Sequence, residues 1–238
     1  MAKQRLDKII ASQGAYSRSE VKELVKKGRV LVNGKAVADS AFKADPETDS
    51  ITVNGKALGY SEHIYIMLNK PQGVVSASRS PGDKTVIDLV PPALKRNGLF
   101  PAGRLDKDTT GFLLITDDGD FAHEILSPKK HIEKTYVAVL DRPISEAEQK
   151  KFESGVALAD GYECLPAKIR NLSEDGRTVE IKLNEGKYHQ IKRMAAACGS
   201  HVNELHRVAM GNLMLDESLL PGECRALTDE ELRLIQEK

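Results

Sequence analysis

The sequence predicts an α+β protein in two parts: a small helix–helix–hairpin module over residues 1–59, then a mostly antiparallel-sheet domain over residues 60–238. Three observations predict it. Positive charge is concentrated in the first 35 residues; two short helical patterns and two Asn-Gly turns follow one another within residues 1–59; and beyond Gly59 apolar strand segments recur, several too close together for crossover helices. With 238 residues and 40% hydrophobic side chains the chain can bury one or two cores, which argues against disorder.

In the first part, Leu6, Ile9 and Ile10 recur at helical spacing, and Val21, Leu24 and Val25 do so again behind Ser17-Arg18-Ser19-Glu20. That tetrapeptide is a capping box, with Ser17 at the N-cap and Glu20 at the third helical position. Lys26-Lys27-Gly28 ends the second helix with cations and a glycine able to take positive φ. Arg29 to Val37 then reads as a hairpin turning at Asn33-Gly34, and Ile51 to Gly55 repeats the strand-then-turn signature. Residues 1 to 35 carry nine basic side chains against three acidic ones, a local charge of +6. The whole chain is neutral, with 35 Lys+Arg and 35 Asp+Glu, so the rest sums to −6. This is the distribution expected of a nucleic-acid module joined to a more neutral domain.

In the second part, strands are predicted at Ile64 to Leu68, Gly111 to Thr116, Thr135 to Leu140 and Val179 to Leu183. Helices are predicted at Asp120 to Leu126, Ser145 to Phe152 and Tyr188 to Ala197, and Thr228-Asp229-Glu230-Glu231 opens a last, capped helix. Cys164, Cys198 and Cys224 are isolated and odd in number, which argues against a disulfide framework and a zinc site, and His189, His201 and His206 lack a completing ligand at metal spacing. No metal and no cofactor is expected. No run approaches the roughly 18 apolar residues of a membrane span, and the first seven residues lack the apolar stretch of a signal peptide, so a cytoplasmic protein without a membrane partner is expected. No dimerisation heptad is visible, and a monomer is expected.

The segment richest in chemistry is Gly103-Arg104-Leu105-Asp106-Lys107-Asp108-Thr109-Thr110-Gly111, followed at once by the apolar run Phe112 to Ile115. A polar loop held by a buried strand suits a rigid active site. Asp106-x-Asp108-x-Thr110 imitates a haloacid-dehalogenase-type phosphatase, but that fold needs its aspartates after an apolar strand and here the strand follows. An EF-hand loop fails on Asp117 at the last ligand position and on the β-type run through its second half. A retaining glycosidase could use Asp106 and Asp108, but that leaves the arginine and threonines unexplained; a charged β-turn is the remaining plain reading.

Two resemblances bear on these alternatives. Arg5-Leu6-Asp7, Ser17-Arg18-Ser19 and Gly28-Arg29-Val30-x-Val32-Asn33-Gly34 resemble the S4 RNA-binding domain, which implies that Arg5, Ser17, Arg18, Lys22, Lys26 and Arg29 lie on or beside an RNA-facing helix pair. Gly-Arg-Leu-Asp-x-x-Thr-x-Gly resembles the signature of the pseudouridine synthases, in the branch that carries an S4 domain and modifies ribosomal RNA. Met67 to Gly73, Glu133-Lys134-Thr135-Tyr136 and Glu185 to Met194 resemble the same family's other motifs, and His189-Gln190-Ile191-Lys192-Arg193-Met194 is similar to the form found in its small-subunit (16S) branch.

The resemblance implies an isomerase that breaks the uridine N1–C1′ bond and rejoins the base through C5, with no cofactor. It implies Asp106 as the catalytic carboxylate and Lys192 as the cation that keeps it ionised. It also implies Tyr136 as the ring that stacks on the target uracil, Arg104 as the loop arginine that fills the space of the extracted base or holds its phosphate, and Lys70 and Lys187 as lining of the same basic cleft. The implied partner is 16S ribosomal RNA in an assembly intermediate, where unstacking the target costs less; a large-subunit enzyme and a noncatalytic RNA-binding assembly factor of the same fold are the alternatives.

Overall fold

The computed structural model describes residues 3–127, 130 and 132–237. They form two compact units, Met1–Ile64 with Val90–Leu99, and Tyr65–Leu89 with Phe100–Lys238.

The first unit contains β1 (Gln4–Arg5), α1 (Leu6–Ser12), α2 (Arg18–Lys26), β2 (Val30–Val32), β3 (Lys35–Ala36), β4 (Lys43–Ala44), β5 (Ile51–Val53) and β6 (Lys56–Ala57). The Ser17–Glu20 capping box forms, and Gly28 takes φ +66° just past the end of α2. Asn33 and Gly34, like Asn54 and Gly55, all have positive φ, the backbone that a two-residue type I′ hairpin requires. The two hairpins share a four-stranded sheet in the order β3-β2-β5-β6, and Leu6, Ile9, Ile10, Val21 and Val25 bury the helix pair against it. This unit exceeds the 1–59 segment read from the sequence. A Cβ at Gly14 would lie 2.0 Å from the Lys95 carbonyl oxygen, and the Arg96 guanidinium donates to Gln13 Oε1 and to the Ser61 carbonyl, both at 2.9 Å. Residues 90–99 carry no periodic pattern that would have revealed this return.

The second unit contains β7 (Tyr65–Lys70), β8 (Phe100–Pro101), β9 (Thr110–Thr116), α3 (Gly119–Leu126), β10 (Lys134–Leu140), α4 (Glu146–Ser154), β11 (Lys168–Asn171), β12 (Thr178–Leu183), α5 (Gln190–Ala197), β13 (Val202–Met210), β14 (Leu213–Met214), β15 (Cys224–Ala226) and α6 (Asp229–Gln236). Its sheet runs β11-β12-β10-β13-β9-β7-β15, with β14 beside β13 and β8 beside β9. Every pairing in it is antiparallel except β13 with β9, which is parallel at His206↔Thr110 and Arg207↔Gly111. β7 and β9 are both flanked by strands on either side, and Ile66 to Leu68 and Phe112 to Ile115 are continuous apolar runs rather than alternating ones because both faces are covered there: all seven residues are fully buried. One apolar cluster forms around β10, β12 and α5, and another around β7, β9 and α3. The junction of β10, β13 and β9 places the site.

Candidate active site

Asp106 lies in the loop between β8 and β9, and the loop is held by its backbone. Gly73 N–H donates to the Lys107 carbonyl at 2.7 Å, Ser76 Oγ donates to the Leu105 carbonyl at 2.8 Å, and Leu105 N–H donates back to Ser76 Oγ at 3.1 Å. Lys70, at the end of β7, is fully buried, and its ammonium donates to the carbonyls of Asp106 at 2.9 Å and Thr109 at 2.8 Å. Burial pushes this lysine down to about 8, against the opposing pull of Asp108 and Asp106. The expectation that Lys70 lines an RNA cleft is therefore corrected: with no exposed surface it cannot meet a phosphate, and it clamps the loop instead.

Gly111 completes the clamp from the other end. Its φ is +99°, and a Cβ there would sit 2.3 Å from the Arg207 carbonyl oxygen, so the parallel pairing of β9 with β13 is close enough to demand glycine. The adjoining Thr110 hydroxyl lies 2.8 Å from His206 Nδ1.

The Asp106 carboxylate is met by two residues of the segment that starts α5. Lys192 Nζ is 3.2 Å from Asp106 Oδ2 and 2.6 Å from Asp108 Oδ1. Burial opposes the charge on Lys192, but its hydrogen bonds to Asp108 and Asp106 outweigh burial and hold it above its ordinary value. The same bond holds Asp108 below the usual carboxylate range, although its side chain is 61% exposed. Asp108 is thus solvent-facing, and in addition shares the site's cation.

His189 Nε2 lies 3.4 Å from Asp106 Oδ1. Its backbone is left-handed, φ 49° and ψ 33°, so α5 begins at Gln190 rather than at Tyr188. A non-glycine residue in that region costs of order 1–3 kcal/mol and is found where surrounding structure enforces it. Here buried Glu185 accepts from Gln190 Nε2 at 2.6 Å, Tyr162 Oη at 2.8 Å and Leu165 N–H at 2.8 Å, while Gln190 Oε1 accepts from Lys187 N–H at 2.9 Å. The His189 ring stacks on Tyr188, with centroids 3.8 Å apart and planes 17° apart, and Tyr188 is 70% exposed. In the sequence His189 opens the basic motif without a role of its own, and nothing gives Glu185 one either; positive φ and a buried acid network leave no mark in residue order.

Asp106 opens onto a cleft of about 540 Å³ that Arg104, Tyr136, Lys187 and His189 also line. That size suits a single base. Arg104 and Lys187 are exposed, and the Lys187 ammonium sits 4.8 Å from the Tyr162 ring centroid. The arrangement can receive a planar ring against Tyr136 within reach of a carboxylate paired with Lys192. It joins Asp106, Tyr136, Lys192, Arg104 and Lys187, all expected from sequence, and adds His189.

On the first unit Arg18, Lys22, Lys26 and Arg29 are exposed. Arg5 is committed to buried Asp7, at 2.8 Å and 3.1 Å, and the Ser17 hydroxyl is committed to capping α2. Lys26 pairs with Glu23 at 2.9 Å on the open surface, a contact that solvent screens.

Residues 64–197 match the family model described as RNA pseudouridylate synthase, and residues 4–51 match that of the S4 domain. The chain is 43% identical over 232 residues to the ribosomal small subunit pseudouridine synthase A of Escherichia coli (strain K12), covering 96% of this chain and 98% of the relative. It is 49% identical over 235 residues to the uncharacterized RNA pseudouridine synthase YtzG of Bacillus subtilis (strain 168), covering 98% of each. A crystal structure of a pseudouridylate synthase superposes with a TM-score of 0.67 and 38% identity, covering 99% of this chain and 100% of the other.

Proposed function

The chain belongs to the RNA pseudouridylate synthase family, whose members are isomerases, and from that premise we propose that it converts a uridine of small-subunit (16S) ribosomal RNA to pseudouridine with Asp106 as the catalytic carboxylate. The observation that carries the catalytic reading is the ion pair of Asp106 with Lys192, the carboxylate lining a cleft together with Tyr136. The RNA assignment is supported by similarity over nearly the whole length to a small-subunit enzyme.

The chemistry breaks N1–C1′ and forms C5–C1′ within one nucleotide, so it consumes nothing and calls for no cofactor. Each route to bond cleavage, by attack of the carboxylate or by removal of a sugar proton, starts from an ionised aspartate. Lys192 pairs with that carboxylate at 3.2 Å. Tyr136 stacks on the flipped uracil, a contact worth about 1–3 kcal/mol. Arg104 occupies the space the base vacates or holds its phosphate, and Lys187 adds charge at the rim. Arg18, Lys22, Lys26 and Arg29 supply phosphate contacts that set affinity and orientation rather than sequence choice. The substrate is a 16S assembly intermediate in the cytoplasm, bound by a monomer. Among the described residues no helix is long and apolar enough to cross a membrane.

Mapping pseudouridine in ribosomal RNA from cells with and without the gene tests this directly. Loss of one 16S site, restored by the wild-type gene and not by Asp106→Asn, is expected. Loss confined to large-subunit RNA, or no loss, overturns the assignment.

A further inference from the structure

Among the described residues, two buried cations of the cleft face no counter-charge. Tyr136 and Arg207 are directly opposed across the β10–β13 ladder, and Lys134 is two residues before Tyr136 on the same strand, so the three side chains share one face. All three line the cleft together with Asp106. Lys134 is 7% exposed and Arg207 3%. Among the described residues no carboxylate and no hydrogen-bond acceptor meets the Lys134 ammonium. Arg207 Nε donates to the Phe112 carbonyl at 2.7 Å, its Nη2 is buried without a partner, and its guanidinium carbon lies 6.0 Å from the Tyr136 ring centroid. Burial first, and the neighbouring Arg207 second, push Lys134 down to about 8.

Two adjacent buried cations without an acid between them weaken a fold rather than support it. What they supply is a fixed positive potential in a space of low dielectric, the arrangement that stabilises negative charge as it develops. We infer that Lys134 and Arg207 form an anion subsite for the carbonyl oxygens of the uracil as it leaves C1′, an inference that rests on the pseudouridine synthase reading of the cleft. When the C1′–N1 bond breaks, its electron pair departs with N1 and spreads through the ring onto O2 and O4. Bond formation from C5 to C1′ uses a pair from this anion, C5 then loses its proton, and N1 gains one, so composition and charge are unchanged overall.

A phosphodiester oxygen presents the same chemistry. Burial decides for the base: Lys134 and Arg207 are reached only by a group that enters the cleft beside Tyr136, which is where the flipped ring goes.

The test uses the full chain and its ribosomal RNA substrate, comparing Lys134→Met, Lys134→Gln and the conservative Lys134→Arg. The rate of the bound complex is measured in single turnover at saturating enzyme, and affinity is measured across a salt series. Lys134→Met and Lys134→Gln should slow the bound step by about 10²-fold, the scale of losing one oxyanion donor, with affinity within about twofold and an unchanged salt slope, while Lys134→Arg recovers most of the rate. Fluorine at C5 withdraws charge from the ring, so consumption of RNA carrying 5-fluorouridine at the target should be slowed less by Lys134→Met than consumption of uridine. A loss of affinity and salt slope with the bound rate intact would assign the cations to a phosphate and overturn the inference. Variants that match wild type in both rate and affinity would overturn it as well.

Discussion

Alanine at position 111 would place a Cβ 2.3 Å from the Arg207 carbonyl oxygen and 2.8 Å from its nitrogen, both backbone atoms of the central strand β13. Ordinary contact begins near ~3.4 Å, so β9 and β13 would have to part by about 1 Å. The φ of +99° adds a backbone penalty of about 1–3 kcal/mol for any L side chain. Loosening the ladder between the two strands adds about 1 kcal/mol for each hydrogen bond weakened. The sum is about 3–5 kcal/mol, and at ~2–4 °C per kcal/mol for a domain of this size the melting temperature should fall by about 10 °C. The loop bearing Asp106 enters β9 at this point, and a displacement of about 1 Å in a reacting group can cost about 10²-fold in rate. Thermal or urea unfolding of Gly111→Ala and single-turnover isomerisation of the folded fraction measure the two effects. Stability within about 1 kcal/mol of wild type and activity within tenfold would refute the argument that close strand approach sets the loop.

Three further outcomes follow from the buried and exposed cations. Lys70→Met should leave the Asp106 and Thr109 carbonyls without their donor; calorimetry should show a change of no more than about 2 kcal/mol, since an unfavourable buried charge goes with them, whereas turnover should fall at least tenfold. Lys134→Met should stabilise the protein at pH 7. With a folded value of about 8 against 10.5, the unfolded chain binds more protons between those values, so wild-type stability rises with pH across that window; the gain of up to about 3 kcal/mol should be full below pH 8 and fade towards 10.5 in unfolding measured against pH. Replacing Arg18, Lys22 and Arg29 together by Gln should weaken RNA binding and flatten its salt dependence by about 0.7–0.9 for each phosphate no longer neutralised, with the bound-state rate unchanged in single turnover.

Much of this molecule is legible in residue order where a local rule decides the outcome. The Ser17 capping box, the Asn33-Gly34 turn and the buried runs at Ile66 to Leu68 and Phe112 to Ile115 each follow from a short-range constraint. Where contacts are long-range the sequence is silent. β13 mixes charged and apolar residues because one part of it lines a cleft and another a core, and its parallel pairing with β9 links positions 96 residues apart in sequence. Lys70 reads as part of an open basic cleft because lysine is rarely buried; only the position of β7 inside the sheet, between β9 and β15, shows that it faces the loop carbonyls. His189 lies within a motif that reads as helix, and its left-handed backbone, which turns the ring onto Asp106, is imposed by the Glu185 network rather than by its neighbours in sequence. The return of residues 90–99 to the first unit is invisible in the sequence for the same reason, and it makes a charge-replacement variant a cleaner test of that unit than truncation at residue 59.

The catalytic assignment rests on one carboxylate. Asp106→Asn keeps the volume of the side chain and leaves the clamp on the loop, which is made through backbone carbonyls, untouched. The variant should therefore bind its RNA within a few fold of wild type and form no pseudouridine in single turnover at saturating enzyme, a loss beyond the ~10²–10⁴ that one positioned acid or base supplies. Substantial residual turnover by the purified, folded variant would show that the chemistry is carried by another group and would contradict the assignment of the site.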